Sequence, residues 1–227
     1  MTERLESVEG RIRVSEQVEV SSLLLQPARP RALLVLAHGA GAGMRHAFLE
    51  SIAERFAARG IGTLRYQFPY VEHRTRGPDP EPVLFATIRA AVAAGREAAG
   101  RVPLLAGGKS MGGRMTSRAA ADEPLTGVSG LVFLGFPLHP AGRPAVSRAD
   151  HLDQVDLPML FLQGTRDTLA DLSLLRPVVE RLGKRATLRV IEGADHMFHV
   201  LKRSGRTDEQ VLDELADATA EWREERT

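Results

Sequence analysis

The amino-acid sequence predicts an α/β fold in which a mostly parallel central sheet carries helices on both faces. Short apolar runs alternate along the chain with amphipathic or alanine-rich segments, which is the pattern of repeated βα units. One such unit is compact: an apolar run at residues 102–105, a turn of small residues at 106–113 and a helix-forming stretch at 114–121. The chain has 227 residues, 43% of them hydrophobic, so we expect a single domain over residues 1–227.

The predicted elements follow in order. Two leading strands are expected at residues 11–14 and 18–25, and a Pro-rich loop at 68–82. The remaining predicted strands lie at 31–37, 61–67, 102–105, 128–134, 157–163 and 186–191, and the helices at 46–59, 83–99, 114–121, 168–182 and 208–223. The connection from 135 to 157 offers only a loop and a short helix near 150–155, so we predict an open site without a cap domain.

The segment Gly108-Lys-Ser-Met-Gly112 has the G-x-S-x-G pattern of a nucleophile elbow, in which a sharp strand-to-helix turn raises a serine hydroxyl above the sheet. The glycines two residues before and after Ser110 permit a close backbone approach. Ser110 could instead be an ordinary helix N-cap, but a cap does not require the flanking glycines. Ser110 is therefore the candidate nucleophile.

A serine hydroxyl needs a base to accept its proton and an acid to orient that base. In the order Ser, acid, His, the candidates are Asp167 and His196, each just past the end of a predicted strand. Asp167 could instead cap the following helix, and Asp171 is its alternative. His199 is the alternative to His196, but it is expected within the next helical turn.

An oxyanion hole requires two backbone N–H groups that face the developing negative charge. The glycine-rich segment His38–Gly43 follows the strand at 31–37, and we predict that the N–H of Ala40 pairs with the N–H of Met111. His38 is expected to be a structural residue of this loop. The histidines at 46, 73, 139 and 151 are expected on the surface or in loops.

These motifs together resemble the α/β-hydrolase superfamily, in particular the dienelactone-hydrolase-like group and the compact hydrolase-like domains of the KANL/Tex type. The resemblance spans roughly residues 20–220 and is carried by His38–Gly41, Phe68–Tyr70, Gly108–Arg114, Gly164–Asp167 and Asp195–His196. It implies an α/β-hydrolase fold and a Ser-His-Asp triad. The nucleophile of dienelactone hydrolase itself is Cys, and this chain has no Cys, so we do not assign dienelactone as a substrate.

An acyl pocket is expected from residues 136–138, with Tyr66, Phe68 and Tyr70 as secondary candidates, although aromatic residues at strand ends often belong to the core. The arginines at 114, 143 and 148 could stand near the mouth of the site and favour an anionic substrate.

Other site classes fit poorly. A phosphate-binding loop ending in Lys109-Ser110 needs Gly at position 103, which is Pro, and a dinucleotide fingerprint starting at Gly39 needs Gly at position 44, which is Met. His196 and His199 lack nearby thiols that would support a metal site. We therefore predict no cofactor and no metal.

The net charge of +1 gives no reason to expect nucleic acid or an acidic membrane as a partner. The first residues lack an apolar signal segment, and no apolar run approaches the roughly 18 residues of a membrane span, so we expect a cytoplasmic protein. The sequence indicates no particular oligomeric state.

The predicted function is that of a serine hydrolase acting on a small acyl substrate, namely a carboxylic ester, thioester or lactone, through an acyl-enzyme on Ser110. Two alternatives remain: a hydrolase-like domain that binds a partner without catalysis, and acyl transfer to an acceptor other than water.

Overall fold

The computed structural model describes residues 6–226, which contain one eight-stranded sheet. The strands are β1 (Val8–Arg13), β2 (Glu19–Leu25), β3 (Ala32–Ala37), β4 (Ile61–Tyr66), β5 (Leu104–Lys109), β6 (Val128–Leu134), β7 (Met159–Gly164) and β8 (Ala186–Ile191). Their spatial order is β1-β2-β4-β3-β5-β6-β7-β8. The pairs β1–β2 and β2–β4 are antiparallel, and every other pair is parallel. The predicted mostly parallel sheet is confirmed.

Six helices accompany the sheet in the described residues: α1 (Ala47–Ala58), α2 (Pro69–Glu72), α3 (Glu81–Ala99), α4 (Met111–Asp122), α5 (Leu172–Leu182) and α6 (Asp208–Glu224). One core cluster contains apolar residues of α1 and α6, and the other contains those of α3, α4 and α5. Strand β3 shows why both faces are covered. Leu33 and Val35 point into one cluster while Leu34 and Leu36 point into the other, because side chains alternate along a strand.

The chain from β6 to β7 contains only a short 3₁₀ helix, Ser147–Gln154. The prediction of a site without a cap domain is confirmed. The carboxyl ends of the parallel strands therefore open directly onto a cleft, where α/β proteins bind their ligands.

Several predicted boundaries move for local reasons. Helix α5 begins at Leu172 rather than near residue 168, because the Asp171 carboxylate accepts a hydrogen bond from the Ser173 N–H (2.8 Å) and caps the helix there. Strand β5 continues to Lys109, which is paired with Leu134 of β6, and α4 starts at once at Met111. The turn between them is consequently reduced to Ser110 alone.

Candidate active site

Ser110 lies at the turn between β5 and α4 in a strained backbone conformation, with φ 51° and ψ −118°. Residues other than glycine rarely adopt positive φ, and such strain persists only where the surroundings hold it. The Ser110 N–H donates to the carbonyl of Leu134 (3.1 Å), which ties the turn to β6. Ser110 occupies the N-cap position of α4, but its side chain makes no capping hydrogen bond. The hydroxyl is therefore available for another partner.

The glycines on either side of Ser110 are required by close packing against β3 and the loop after it. A Cβ atom at Gly108 would clash with the carbonyl oxygen of Ala37, and one at Gly112 would lie 2.5 Å from the carbonyl oxygen of His38. Side chains at these two positions would push the elbow away from β3. The geometry accounts for the G-x-S-x-G spacing.

Ser110, His196 and Asp167 form a continuous hydrogen-bonded chain. Nε2 of His196 lies 2.8 Å from Oγ of Ser110, and Nδ1 of His196 lies 2.7 Å from Oδ2 of Asp167. Because an ionised carboxylate only accepts hydrogen bonds, Nδ1 carries the proton and Nε2 is left to accept the hydroxyl proton of Ser110. This arrangement can perform general-base chemistry on the serine.

The Asp167 side chain is completely buried, so its charge needs partners. Besides His196, Oδ2 accepts from Nε2 of Gln163 (2.5 Å), and Oδ1 accepts from the N–H of Leu169 (2.8 Å). Oε1 of Gln163 in turn accepts from the N–H of Phe136 (2.9 Å), so the amide is also held in place. Sequence reasoning missed Gln163, although a lone amide in the apolar run of β7 was a signal for it.

His196 lies on a tight loop after β8. Oδ1 of Asp195 accepts from the N–H groups of Met197 (2.8 Å) and His199 (3.0 Å), and Phe198 adopts φ 62°. His199 points elsewhere: its Nδ1 lies 2.8 Å from Asp208 in an exposed pair, and Asp208 raises the pKa of this imidazole. The structure thus brings His196, and not His199, to Ser110.

Another part of the cleft wall is the backbone of residues 39–42, next to the imidazole of His38. This imidazole is buried, its Nδ1 lies 2.8 Å from the carbonyl oxygen of Gly39, and its Nε2 accepts from the N–H of Phe68 (3.1 Å). Burial lowers the pKa of His38 to about 4, so the ring is neutral at physiological pH. In the trans peptide between Gly39 and Ala40, the N–H of Ala40 points away from that carbonyl and hence away from His38.

The two predicted oxyanion donors belong to different elements: Ala40 to the loop after β3, and Met111 to the helix that follows Ser110. Ala40 is exposed and lines the cleft next to Ser110. Met111 is the first residue of α4, where N–H groups have no partner within the helix.

The cleft around Ser110 has a volume of about 360 Å³ and a mainly apolar lining. Its apolar side chains are Phe48, Leu49, Leu169 and Met197, together with the alanines at 40 and 42. Apart from Ala40, which was predicted as an oxyanion donor, sequence reasoning missed these residues as part of the cleft. A larger groove of about 660 Å³ lies beside β1 and β2, but its lining contains neither Ser110 nor His196, so we place the chemistry in the smaller cleft.

The predicted pocket residues at 136–138, and Tyr66, Phe68 and Tyr70, are buried in the fold and do not line the cleft. Phe136 packs against Phe133 and Phe161 in the core instead (ring centroids 5.3 and 5.6 Å apart). The arginines at 114, 143 and 148 are also absent from the lining.

Two histidines predicted at the surface or in loops have structural contacts. His139 is buried, and its Nε2 accepts from the N–H of Asp171 (3.0 Å). His151 is half-buried, with Nε2 2.8 Å from Oγ of Ser117. Ser117 is itself fully buried, so this second Ser–His contact is closed to a ligand.

A mostly parallel sheet with a serine on a sharp strand-to-helix turn, and with an acid and a histidine after later strands at the same edge, is the arrangement of α/β hydrolases. The family model described as "Alpha/beta hydrolase domain" matches residues 30–224, and the chain belongs to this family.

Solved structures share the fold over nearly the whole chain. Dienelactone hydrolase from Anabaena variabilis ATCC 29413 is 20% identical with a TM-score of 0.73, covering 96% of this chain and 97% of that one. A serine hydrolase without a lid from Xanthomonas campestris is 21% identical with a TM-score of 0.73, covering 96% and 95%. An α-β serine hydrolase homologue from Coxiella burnetii is 18% identical with a TM-score of 0.74, covering 96% and 97%.

Among curated proteins, two Mycobacterium tuberculosis relatives, from strains CDC 1551 and H37Rv, are each 27% identical over 213 residues and are provisionally named phosphoribosyl transferases. The match covers 92% of this chain and 44% of each relative, so the chain spans less than half of their length.

Within residues 6–226, no helix is long and apolar enough to cross a membrane. In the same part of the chain, no three His, Cys, Asp or Glu side chains are grouped so that they could hold a metal ion.

Proposed function

We propose that the protein is a serine hydrolase that cleaves a carboxylic ester, thioester or lactone through an acyl-enzyme on Ser110. The observation that carries this proposal is the hydrogen-bonded chain from Ser110 through His196 to Asp167, at 2.8 and 2.7 Å, on a strained elbow. Ser110 is the nucleophile, His196 the general base and acid, and Asp167 the group that holds the imidazole in its productive tautomer.

The reaction proceeds in two halves. Oγ of Ser110 attacks the carbonyl carbon while Nε2 of His196 takes its proton, and the N–H groups of Ala40 and Met111 stabilise the oxyanion. Nε2–H then protonates the departing alcohol or thiol, which leaves the acyl group on Ser110. Water attacks this ester with His196 again as base, which releases the acid and restores Ser110.

The cleft limits the substrate. A volume of about 360 Å³ is near the lower end of the roughly 300–1,000 Å³ of ligand sites, and its apolar walls suit a short acyl chain. Short-chain p-nitrophenyl esters and acyl thioesters are therefore the first compounds to screen.

The test is labelling with a fluorophosphonate probe, followed by mass spectrometry of the modified peptide. We expect label on Ser110 in the natural protein and none in Ser110→Ala. Ser117→Ala is the matched control, because Ser117 also contacts a histidine but is buried, and it should leave labelling unchanged. Folded protein that takes no label would favour the binding-domain alternative.

Acyl transfer to an acceptor other than water is the second candidate, and the provisional transferase name of the mycobacterial relatives is consistent with it, although the group named there is phosphoribosyl and not acyl. Because the chain spans 44% of those relatives, the chemistry named for them can reside in the part of their length outside this match. An acyl group on Ser110 could still pass to an alcohol or amine. Product analysis with added acceptors distinguishes transfer from hydrolysis, since transfer gives a new ester or amide at the expense of the free acid.

A further inference from the structure

Lys109 is a buried lysine that stands directly before Ser110 at the end of β5 and lines the cleft. Its Nζ donates a hydrogen bond to the backbone carbonyl of His196 at 2.6 Å. We propose that Lys109 is a positioning residue of the hydrolase reaction, whose ammonium holds the backbone of His196 so that the imidazole stays in line with Ser110. This inference rests on the proposed function.

A lysine is rarely buried to this extent, because the charge loses its hydration. Here the ammonium has specific compensation. The rings of Phe48 and Phe198 are stacked with centroids 5.7 Å apart, and Nζ lies 5.8 and 5.5 Å from their centroids, within the range of cation–π attraction. The carboxylates of Asp167 and Asp195 also favour the charged form.

The space around Nζ is shared with the imidazole itself. A Cβ atom at Gly135 would lie 3.3 Å from Nζ of Lys109 and 3.5 Å from Nδ1 of His196. Gly135 thus leaves room for both groups side by side at the end of β6. The ammonium and the imidazole are therefore packed against the same glycine.

The contact joins the two halves of the reacting pair. Lys109 adjoins the nucleophile in sequence, whereas His196 lies on a separate loop, and the Nζ–carbonyl bond is a direct link between their elements. A displacement of about 1 Å at a reacting group can cost about 100-fold in rate. Losing this link is therefore expected to reduce turnover more than substrate binding.

The link depends on pH. Burial lowers the pKa of Lys109 to about 8, against the opposing effect of Asp167 and Asp195. The titratable groups that face it are Asp167 after β7, Asp195 and His196 after β8, and His46 at the start of α1 in the same cleft. Above that pH the amine loses its charge, the cation–π attraction and the charge-assisted part of the hydrogen bond.

The variants that test this are Lys109→Met, which keeps the length but removes charge and donors, and Lys109→Arg, which stays charged over the whole pH range of the experiment. Lys202→Met is the matched control, because Lys202 is exposed and away from the cleft. We would measure kcat and KM on a short-chain ester from pH 5 to 10, and the Nδ1-proton NMR resonance of His196.

For Lys109→Met we expect kcat to fall about 10- to 100-fold with KM within about threefold, and the His196 resonance to shift or broaden. Natural protein should lose activity above about pH 8, and Lys109→Arg should move this loss to higher pH while restoring part of kcat.

The proposal is overturned if Lys109→Met keeps kcat within twofold, the same alkaline profile and an unchanged His196 resonance. If the natural protein cleaves no ester and takes no fluorophosphonate, the proposed function fails instead. The NMR signal still decides in that case whether Lys109 orients His196, because it requires no turnover.

Discussion

The two walls of the cleft are held in different ways. On the acid–base side, Asp167 and His196 are oriented by side chains and loop amides, with Gln163 reaching from β7 to the buried carboxylate (2.5 Å). On the oxyanion side, the proposed donors are backbone N–H groups, and the loop that carries Ala40 is held by the buried imidazole of His38 and by Gln67, whose Oε1 accepts from the N–H of Met44 (2.8 Å). The first wall depends on side chains that contact the proposed reacting groups, and the second depends on side chains that hold a backbone loop.

This difference determines how substitutions on each side of the cleft should affect turnover. A substitution of Asp167 or His196 changes the groups that carry out or orient the proton transfer, whereas a substitution at His38 changes only the position of a backbone N–H group. Loss of Asp167 or His196 should therefore reduce turnover more than loss of His38, which should weaken it in proportion to the misalignment of the donor.

The largest effect is expected from Asp167→Asn. An amide can donate to Nδ1 of His196 and stabilise the wrong tautomer, so kcat should fall about 10³- to 10⁴-fold while the fold is kept. Asp208→Asn is the matched control, since Asp208 makes a similar contact with the exposed His199. An Asp167→Asn enzyme that retained a tenth of the natural kcat would contradict the proposed role of this carboxylate.

On the oxyanion side, His38→Gln should lower kcat about 10- to 100-fold, which is less than the loss of a reacting group. The Gly39 carbonyl and the Phe68 N–H lose their ring partner, and the peptide that carries the N–H of Ala40 keeps only the hydrogen bond from the Ala42 N–H to the Gly39 carbonyl (3.2 Å). Steady-state kinetics should show the loss in kcat rather than in KM. The exposed His73→Gln is the control, and equal effects of the two variants would count against a role for His38.

The sequence predicts the features of the fold and site that depend on local patterns. Local patterns with fixed spacing predicted the βα alternation, the elbow around Ser110 and the strand-end positions of Asp167 and His196. The short connection between β6 and β7 predicted that no cap domain is present. The structure brings those three side chains together. Their catalytic roles remain predictions for the labelling experiment.

What sequence reasoning missed depends on contacts across the sheet. Gln163 stands out in the sequence as a lone amide in an apolar run, but its partner and the partner of Lys109 are apparent only once the sheet brings the ends of β5 and β7 and the loop after β8 to one edge. The prediction of the pocket residues was wrong for a related reason: the aromatic ring of Phe136 is directed into the core, while Phe48 of α1 and Met197 reach the cleft. No local pattern distinguishes these positions.

Gln163→Leu tests whether the polar network itself sets the rate on the acid–base side. It removes the donor to Asp167 and leaves the N–H of Phe136 unpaired, so we expect roughly 1–3 kcal/mol lower free energy of unfolding. We expect kcat to fall about tenfold, because Asp167 keeps Leu169 and His196 as partners. Urea unfolding and steady-state kinetics measure both, with the exposed Gln17→Leu as control. An unchanged kcat would mean that the remaining partners suffice.

The smallest effect concerns stability in acid and falls on the oxyanion side. Burial lowers the pKa of His38 from its ordinary 6.5 to about 4. Between pH 6.5 and pH 4, His38 is therefore protonated in the unfolded chain but neutral in the folded chain. The free energy of unfolding therefore has its full value with respect to His38 above about pH 6.5. It declines as pH falls toward 4, by roughly 2 kcal/mol at pH 5. His151, whose pKa is also lowered to about 4 by burial and by Arg118 and Arg114, adds a loss of the same sign.

Urea unfolding at pH 5 and pH 8 measures this loss. His38→Gln should be less stable at pH 8 but should show a smaller difference between the two pH values, because glutamine does not titrate. His151→Gln should also reduce the difference while leaving kcat near its natural value, since His151 contacts Ser117 and not the cleft. If His38→Gln kept the full natural difference, the ring would already be protonated in the folded protein at pH 5. The hydrogen bond from the Phe68 N–H to Nε2 could then not exist at that pH, and His38 would hold the loop in this way only at higher pH.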